Sequence, residues 1–417
     1  MKMTQLHTAA FSLGLALATA HFAPAAPQPA AGSKKLKVFV LAGQSNMQGQ
    51  ANVSTFDVIG LDPKTAPLLA EMRNPDGTPR VCEHVWVSSI GCGKEPQEEQ
   101  TGKLTAGFGA AKRGPKIGPE FTFGIYLQKQ IDPPILLIKT SWGGKSLSTD
   151  FRPPSAGPYP FREEQLKQFQ QQGKDIDKIK ADKAAATGRY YRTMIEHVKK
   201  VLADPKRVCP DYDPQQGWEL AGFVWFQGWN DLVDADTYPN RSKPGGYDQY
   251  SKVLADFIRD VRKDLSAPAL PFVIGVMGVG GPIEKYPPDK QRYVPMNAEF
   301  RKAMAAPAAL PEFQGNVAAV FTEQFWDLEL DALLAKNGKL QGEVDGMIKE
   351  GKLAAAERNA AIEQRRAAAF TPRERELLAK GASDAGFHYL GSAKILGQIG
   401  KAFAEAMVDL TRNRPKN

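Results

Sequence analysis

The chain has 417 residues, 42% of them apolar and 24% charged. That composition excludes wholesale disorder and supports a large core without staples. Three cysteines exclude a disulfide scaffold, 38 glycines and 31 prolines without a repeat indicate many turns, and a net charge of +8 raises the question of an acidic partner.

The first stretch reads as an export signal, residues 1–25. Lys2 supplies the positive charge, residues 9–20 form an uncharged apolar run too short to span a bilayer, and Ala23-Pro24-Ala25 is the cleavage candidate, with Ala18-Thr19-Ala20 as second choice. Cleavage removes Lys2 and no acid, leaving +7 and three histidines: His84, His197 and His388. An exported protein, periplasmic or secreted, is expected. No later run is long and apolar enough for membrane insertion after cleavage. Export permits a disulfide, and Cys82 and Cys92 are close enough in sequence to close a small loop; three free buried thiols are the alternative.

Residues 26–35 read as a linker. The run 36–46 (LKVFVLAGQSN) is a buried strand entering a polar turn, and 81–90 is a second strand. Residues 119–130 have helical spacing, 135–140 form a third strand, and 181–204 read as one amphipathic helix. Then follow a strand at 221–228, a helix at 247–265, strands at 271–278 and 317–323, and a C-terminal helix at 391–407. This alternation predicts one α/β domain over 36–410, with a parallel sheet and right-handed crossovers. Residues 151–180 and 328–380 exceed what that core needs and read as insertions. The latter should hold two helices and a short third one capped by Thr371, with Pro372 at its first position. Ligands of such sheets bind outside the carboxyl ends of the strands, so chemistry is sought in the loops found there.

The first strand ends in Gly43-Gln44-Ser45-Asn46-Met47. A serine on a sharp turn at a strand end can act as nucleophile and lend its own N–H to an oxyanion hole. The third strand ends in Thr140-Ser141-Trp142-Gly143-Gly144-Lys145-Ser146, which fails the phosphate-loop pattern because Lys139 stands where a glycine is required. Its Gly-Gly turn can instead expose backbone donors. The fourth ends in Gln227-Gly228-Trp229-Asn230-Asp231, where Asn230 and Gln227 are rival side-chain donors. The glycine-rich stretches 107–114 and 275–282 fit no dinucleotide pattern, and 107–114 follows no predicted strand. Ser383-Asp384-Ala385-Gly386-Phe387-His388 places a histidine four residues after an acid in a Gly-containing loop. His197 lies mid-helix and His84 mid-strand, so His388 is the candidate general base and Asp384 its orienting acid. No metal-ligand spacing occurs, and neither metal nor cofactor is expected.

In order and content, these blocks resemble the SGNH (GDSL-type) hydrolase superfamily, and GQSNM is similar to the sialate O-acetylesterase-like carbohydrate esterases. The resemblance implies a three-layer, flavodoxin-like fold and Ser45 as nucleophile. It implies an oxyanion hole from Ser45, Gly144 (or its neighbour Gly143) and Asn230, and His388 as base. Two departures stand out: the family's Gln-Gly-Glu is Gln227-Gly228-Trp229 here, and its Asp-x-x-His has Ala385 at the acid position, with Asp384 one residue earlier.

The expected function is therefore an exported serine esterase that removes acyl groups, acetyl above all, from poly- or oligosaccharides. Gln44, Gln227, Trp142 and Trp229 are candidates for substrate contact, and Phe226 is a further ring that could stack on sugar. The charge of +7 suggests an anionic acetylated polysaccharide. Basic residues are too scattered for nucleic acid. The alternatives are a carbohydrate-binding protein that has lost catalysis and a lipid or short-chain acyl esterase.

Overall fold

The computed structural model describes residues 34–132 and 134–412, so the expected signal and its cleavage sites lie outside the described residues. The strands are β1 (Leu36–Gly43), β2 (Ala51–Asn52), β3 (Cys82–Ile90), β4 (Gln100–Leu104), β5 (Lys116–Ile117), β6 (Ile135–Ser141), β7 (Trp218–Phe226), β8 (Phe272–Val276) and β9 (Val317–Phe321). The helices begin with α1 (Ser45–Gln48), α2 (Ala66–Met72), α3 (Pro119–Leu127), α4 (Glu163–Gln171), α5 (Ile176–Ala186), α6 (Arg189–Ala203) and α7 (Trp229–Val233). They continue with α8 (Asp248–Asp264), α9 (Val294–Ala305), α10 (Leu328–Lys349), α11 (Arg358–Ala369), α12 (Pro372–Lys380) and α13 (Ala393–Arg412).

Seven strands form one sheet in the order β4-β3-β6-β1-β7-β8-β9, while β2 and β5 make a separate antiparallel pair. Within the large sheet every pairing is parallel except β3 with β4. β1 and β6 are almost wholly buried because helices cover both faces. Alternate residues of β1 serve opposite layers: Phe39 and Leu41 join the cluster of α3 and α13, Val38 and Val40 that of α6, α8 and α9. The three-layer α/β/α arrangement expected from the sequence is thus observed. β1 lies between β6, reached early in the chain, and β7, reached late. Strand order reverses there, and this crevice is where open α/β sheets bind ligands.

Three local expectations needed correction. β4 was missed because QTGKL is half-exposed at the sheet edge and carries no apolar run; it also precedes the 107–114 stretch by two residues. The single helix expected over 181–204 is two helices, broken at Gly188 with φ +69. The apolar stripe belongs to α6 alone, since α5 buries nothing. Cys82 and Cys92 do not bridge: Cys82 opens the extended β3 and Cys92 lies two residues past its far end, so the strand between them spans roughly 25 Å at ~3.3 Å per residue, and all three thiols are free and buried.

In the 328–380 segment, Leu330, Leu340, Val344, Ile362 and Leu377 join the cluster beneath α13. Thr371 caps α12 reciprocally, its hydroxyl accepting from Glu374 N–H at 3.3 Å and the Glu374 carboxylate from Thr371 N–H at 2.7 Å. Among the described residues, no helix is long and apolar enough to cross a membrane.

His197 on α6 packs against β3, 2.9 Å from the Ser88 hydroxyl, which donates to Glu99 at 2.7 Å. Burial lowers the His197 pKa to about 4. Burial alone would raise Glu99, but hydrogen bonds from Arg207, Ser88 and Lys200 hold it at about 2. The unfolded chain protonates His197 near pH 6.5, so as pH falls from there to about 4 the unfolded state gains a proton the folded state refuses. Stability should therefore fall across that window by up to ~3 kcal/mol. Urea unfolding of the wild type and of His197→Gln checks this. The variant's stability curve should be flatter there, and parallel curves would reject the assignment.

Candidate active site

At the end of β1 only glycine fits: a Cβ on Gly43 would lie 2.0 Å from the Phe226 carbonyl oxygen of β7. The chain turns directly into α1, so Ser45 stands at the carboxyl end of the sheet and is 7% exposed. Its neighbour Gln44 reaches across to the β7 loop. The Gln44 amide donates to Asn230 Oδ1 at 2.9 Å, and its oxygen accepts from the N–H groups of Gly228 (3.0 Å) and Asn230 (3.3 Å). This clamp occupies the Asn230 oxygen and leaves its NH2 group without an acceptor among the described residues. The backbone N–H groups of Ser45, Gly143 and Gly144 likewise meet no acceptor among the described residues. Gly143 lies beside the serine, its added Cβ falling 3.8 Å from Ser45 Cβ. Gly144 turns with φ +72, and a Cβ there would meet open space.

Gln227, the rival donor, is fully engaged. Its amide donates to Gln44 Oε1 (3.2 Å), the Lys145 carbonyl (3.1 Å) and Asp231 Oδ2 (2.7 Å), and its oxygen accepts from the Tyr250 hydroxyl at 3.1 Å. Asp231 is completely buried and accepts further bonds from the N–H groups of Leu147 (2.7 Å) and Ser148 (3.0 Å) and from the Tyr238 hydroxyl (3.1 Å). Burial pushes its carboxyl upward against these donors. Asp231 thus clips α7 to the loop after β6 and fixes Asn230 relative to Gly143. The sequence alone assigned Asp231 no role, although it directly follows Asn230.

The third component arrives from the far end of the chain. Asp384 Oδ1 lies 2.8 Å from His388 Nδ1 and also accepts from Ala385 N–H at 2.8 Å. Burial would raise the Asp384 carboxyl, but the hydrogen bonds from His388 and Ala385 and the nearby Lys116 bring it below its usual range. An ionised carboxylate only accepts, so the bond to Asp384 is donated by Nδ1–H, and in the neutral imidazole this tautomer leaves the lone pair on Nε2. Displaced by one residue, Asp384 reaches the imidazole nonetheless. The chain then reverses sharply through Tyr389 (φ 53), Leu390 (φ 60) and Gly391 (φ 55) before α13. Two non-glycine residues in this conformation cost of order 1–3 kcal/mol each. The buried Tyr389 hydroxyl holds them, accepting from Gly278 N–H at 2.8 Å and meeting the Thr322 hydroxyl at 2.7 Å. Asn46 joins the two halves: its amide donates to the Phe387 carbonyl at 3.2 Å, bringing α1 against the histidine turn.

Two lysines that sequence reasoning did not assign support this arrangement. Lys116 Nζ stands 3.9 Å from Asp384 Oδ2 and donates to Gln50 at 2.8 Å. Lys139 is wholly buried in β6 and donates to Glu120 (2.7 Å), the Phe108 carbonyl (2.8 Å) and the Gln48 carbonyl at the end of α1 (2.8 Å). The failed phosphate-loop match at Lys139 was the available signal, since a lysine inside a buried strand needs partners.

Most of the expected substrate contacts need correction. Gln44 and Gln227 are buried and hold the loops together. Trp142 is 4% exposed, gives its indole N–H to the Pro96 carbonyl at 2.7 Å, and packs on Phe151 and Tyr190. Phe226 is core, against Tyr389 and Phe403. Trp229 alone is partly open, beside Phe387 at 5.6 Å between ring centroids. Ser88, His197 and Glu99 have the composition of a triad but not its order, because the serine proton goes to the carboxylate and the serine is inaccessible. Among the described residues no group of three or more His, Cys, Asp or Glu is placed to hold a metal ion.

The model of the carbohydrate esterase family of sialic acid-specific acetylesterases, SASA, matches residues 35–309. No curated protein matches the chain in sequence. Solved structures similar to it include a protein from Arabidopsis thaliana, 15% identical with a TM-score of 0.36 over 69% of this chain and 86% of that one. A carbohydrate acetylesterase from Xanthomonas citri is 16% identical with a TM-score of 0.37 over 70% and 51%, and NanS is 13% identical with 0.37 over 71% and 79%. Asp384 and His388 lie beyond the matched span, so their pairing rests on the geometry alone.

Proposed function

The chain belongs to the SASA family of carbohydrate esterases, and within that family we propose that it is an exported serine esterase releasing acetyl groups from sugar hydroxyls. The observation that carries the reading is the Asp384–His388 pair, fastened by Asn46 to the helix that Ser45 opens. His388 Nε2 takes the Ser45 proton as Oγ attacks the ester carbonyl. The oxyanion that forms meets donors with no other acceptor among the described residues: the N–H groups of Ser45 and of Gly144 or Gly143, and the Asn230 amide. Imidazolium then protonates the departing sugar oxygen, and water drawn by neutral His388 releases acetate from Ser45. Asp384 stabilises the imidazolium throughout. Residues 9–20 and the Ala23-Pro24-Ala25 site support export of the mature chain.

Acetate release from a panel of acetylated polysaccharides, set beside hydrolysis of long-chain acyl esters, tests the reading. Acetate from at least one glycan is expected. Its absence from all of them, with turnover of long acyl chains, would assign the site to lipid esters. The donor assignment has its own check. Asn230→Ala should lower kcat by ~10²–10³-fold; it also deletes the Oδ1 that accepts from the Gln44 amide, so a stability loss of about 1 kcal/mol is expected beside it and is read separately by thermal melts. An unchanged kcat would return the role to backbone donors only.

A further inference from the structure

The glycine-rich stretch 107–114 spends its backbone donors on the protein itself. The N–H groups of Gly107 and Gly109 both donate to the Lys116 carbonyl at 3.0 Å, that of Ala110 to the Gly49 carbonyl and that of Ala111 to the Cys92 carbonyl, each at 2.9 Å. A Cβ on Gly109 would lie 2.7 Å from the carbonyl carbon and the Cβ of Lys116, so only glycine lets the loop close on that residue. Gly49 caps α1, the helix that Ser45 opens. The stretch is therefore a bracket between Lys116 and the serine turn.

Lys116 itself is a buried cation, its side chain 4% exposed, and a buried charge needs a counter-charge. Asp384 is the one carboxylate within ion-pair reach among the described residues, its Oδ2 standing 3.9 Å from Nζ. Burial lowers the Lys116 pKa, the Asp384 charge raises it and Arg113 lowers it again. One ammonium proton goes to Gln50 Oε1 at 2.8 Å. On the other side of the pair, Asp384 Oδ1 takes both hydrogen bonds, from His388 and from Ala385 N–H, while Oδ2 faces Lys116 alone among the described residues. Two anchors fix the plane of a carboxylate where one leaves it free to turn. The backbones are joined as well. Lys116 pairs with Asn52 across β5 and β2, and Asn52 N–H donates at 3.0 Å to the hydroxyl of Ser383, the residue before Asp384.

We propose that Lys116 is a positioning residue for the acyl transfer, its cation holding Oδ2 of Asp384 so that Oδ1 stays on His388 Nδ1, with the glycine bracket fixing that cation in place. The role follows from the displaced acid. Asp384 stands four residues before His388, and Ala385 occupies the position three residues before it. An acid that reaches the ring from one residue further away gains from a second hold. Lys116 acts through Asp384 and not on substrate. The proposal rests on the esterase reading for its effect on turnover, but not for its effect on the imidazole.

Lys116→Met, which nearly keeps the shape and removes the charge, tests it in the full chain. NMR of the imidazole nitrogens reads the tautomer, with the His388 signals assigned by their loss in His388→Ala. At about pH 8.5, where an ordinary imidazole is neutral, wild-type His388 should hold the Nδ1–H form. Part of it should pass to the Nε2–H form in Lys116→Met, and Lys116→Arg should restore the wild-type state. In turnover of p-nitrophenyl acetate, Lys116→Met should lower kcat by ~10–100-fold with KM little changed. In an Asp384→Asn background the same substitution should change kcat by less than about twofold, because no carboxylate remains to be held. Thermal melts control for folding. Should Lys116→Met not fold, Gly109→Ala, which displaces Lys116 without removing a charge, should shift the tautomer the same way. An unmoved tautomer overturns the proposal, and so does an equal loss of kcat with and without the Asp384 carboxylate. A shifted tautomer in a protein whose wild type shows no Ser45-dependent turnover sinks the esterase reading and leaves the Lys116 hold standing; turnover with an unmoved tautomer does the reverse.

Discussion

Ser45→Ala should reduce kcat for acetate release by ~10⁴-fold or more while leaving the fold intact. The expected size follows from what the hydroxyl does. Without Oγ no acyl-enzyme forms, and only water attack in the remaining oxyanion site persists. Stability should hardly change, since Ser45 Oγ makes no hydrogen bond with any described residue and the α1 backbone does not depend on it. His388→Ala should cost a comparable factor, and combining the two should add little, because the pair acts as one unit. Steady-state kinetics on one acetylated glycan, with thermal melts as the control for folding, decide the matter. A Ser45→Ala protein retaining a tenth of wild-type kcat would remove Ser45 from the role of nucleophile.

The largest expected loss of stability comes from Lys139→Met. The change keeps the length of the side chain but strands the Glu120 carboxylate, which is as fully buried as the lysine, without its cation. Breaking one half of a buried pair typically costs ~3–5 kcal/mol. It also releases the Gln48 carbonyl at the end of α1, so kcat should fall along with stability. Lys139→Met combined with Glu120→Leu should recover much of the loss, because replacing both partners by apolar groups is often nearly neutral. Urea unfolding of the two single variants and the double variant gives the cycle. A loss below about 1 kcal/mol in Lys139→Met would show that the pair behaves like an exposed one.

The parts of this protein legible in its sequence were those encoded locally. LKVFVLAG and ILLIKT are continuous apolar runs, and only a doubly covered parallel strand suits such a run. The GQSNM, WGG and GWND segments stand at strand ends, where α/β sheets expose loops, so Ser45 and Asn230 could be singled out. What failed locally failed for a physical reason. The edge strand β4 lacks an apolar pattern, and the break at Gly188 lies inside a stretch whose apolar spacing comes from α6 only. The distance along β3 forbids a bridge between two cysteines that look close when only residues are counted.

By itself, then, the sequence determined the α/β class and six of the strands and supplied a shortlist of residues for the proposed acyl transfer, because each depends on neighbours in the chain. Only tertiary structure decided which of these side chains meet and which are buried. Gln44 is 186 residues from Asn230, and no spacing rule could show that their amides meet. Gln227 was indistinguishable from Asn230 as a donor until its partners were known. Trp142 and Trp229 look alike in sequence, yet one is sealed in the core and the other lies partly open beside Phe387. Hydrogen bonding and burial are properties of what packs against a side chain from elsewhere in the chain, and they separated a shortlist of polar and aromatic residues into loop clamps, core and groups left open.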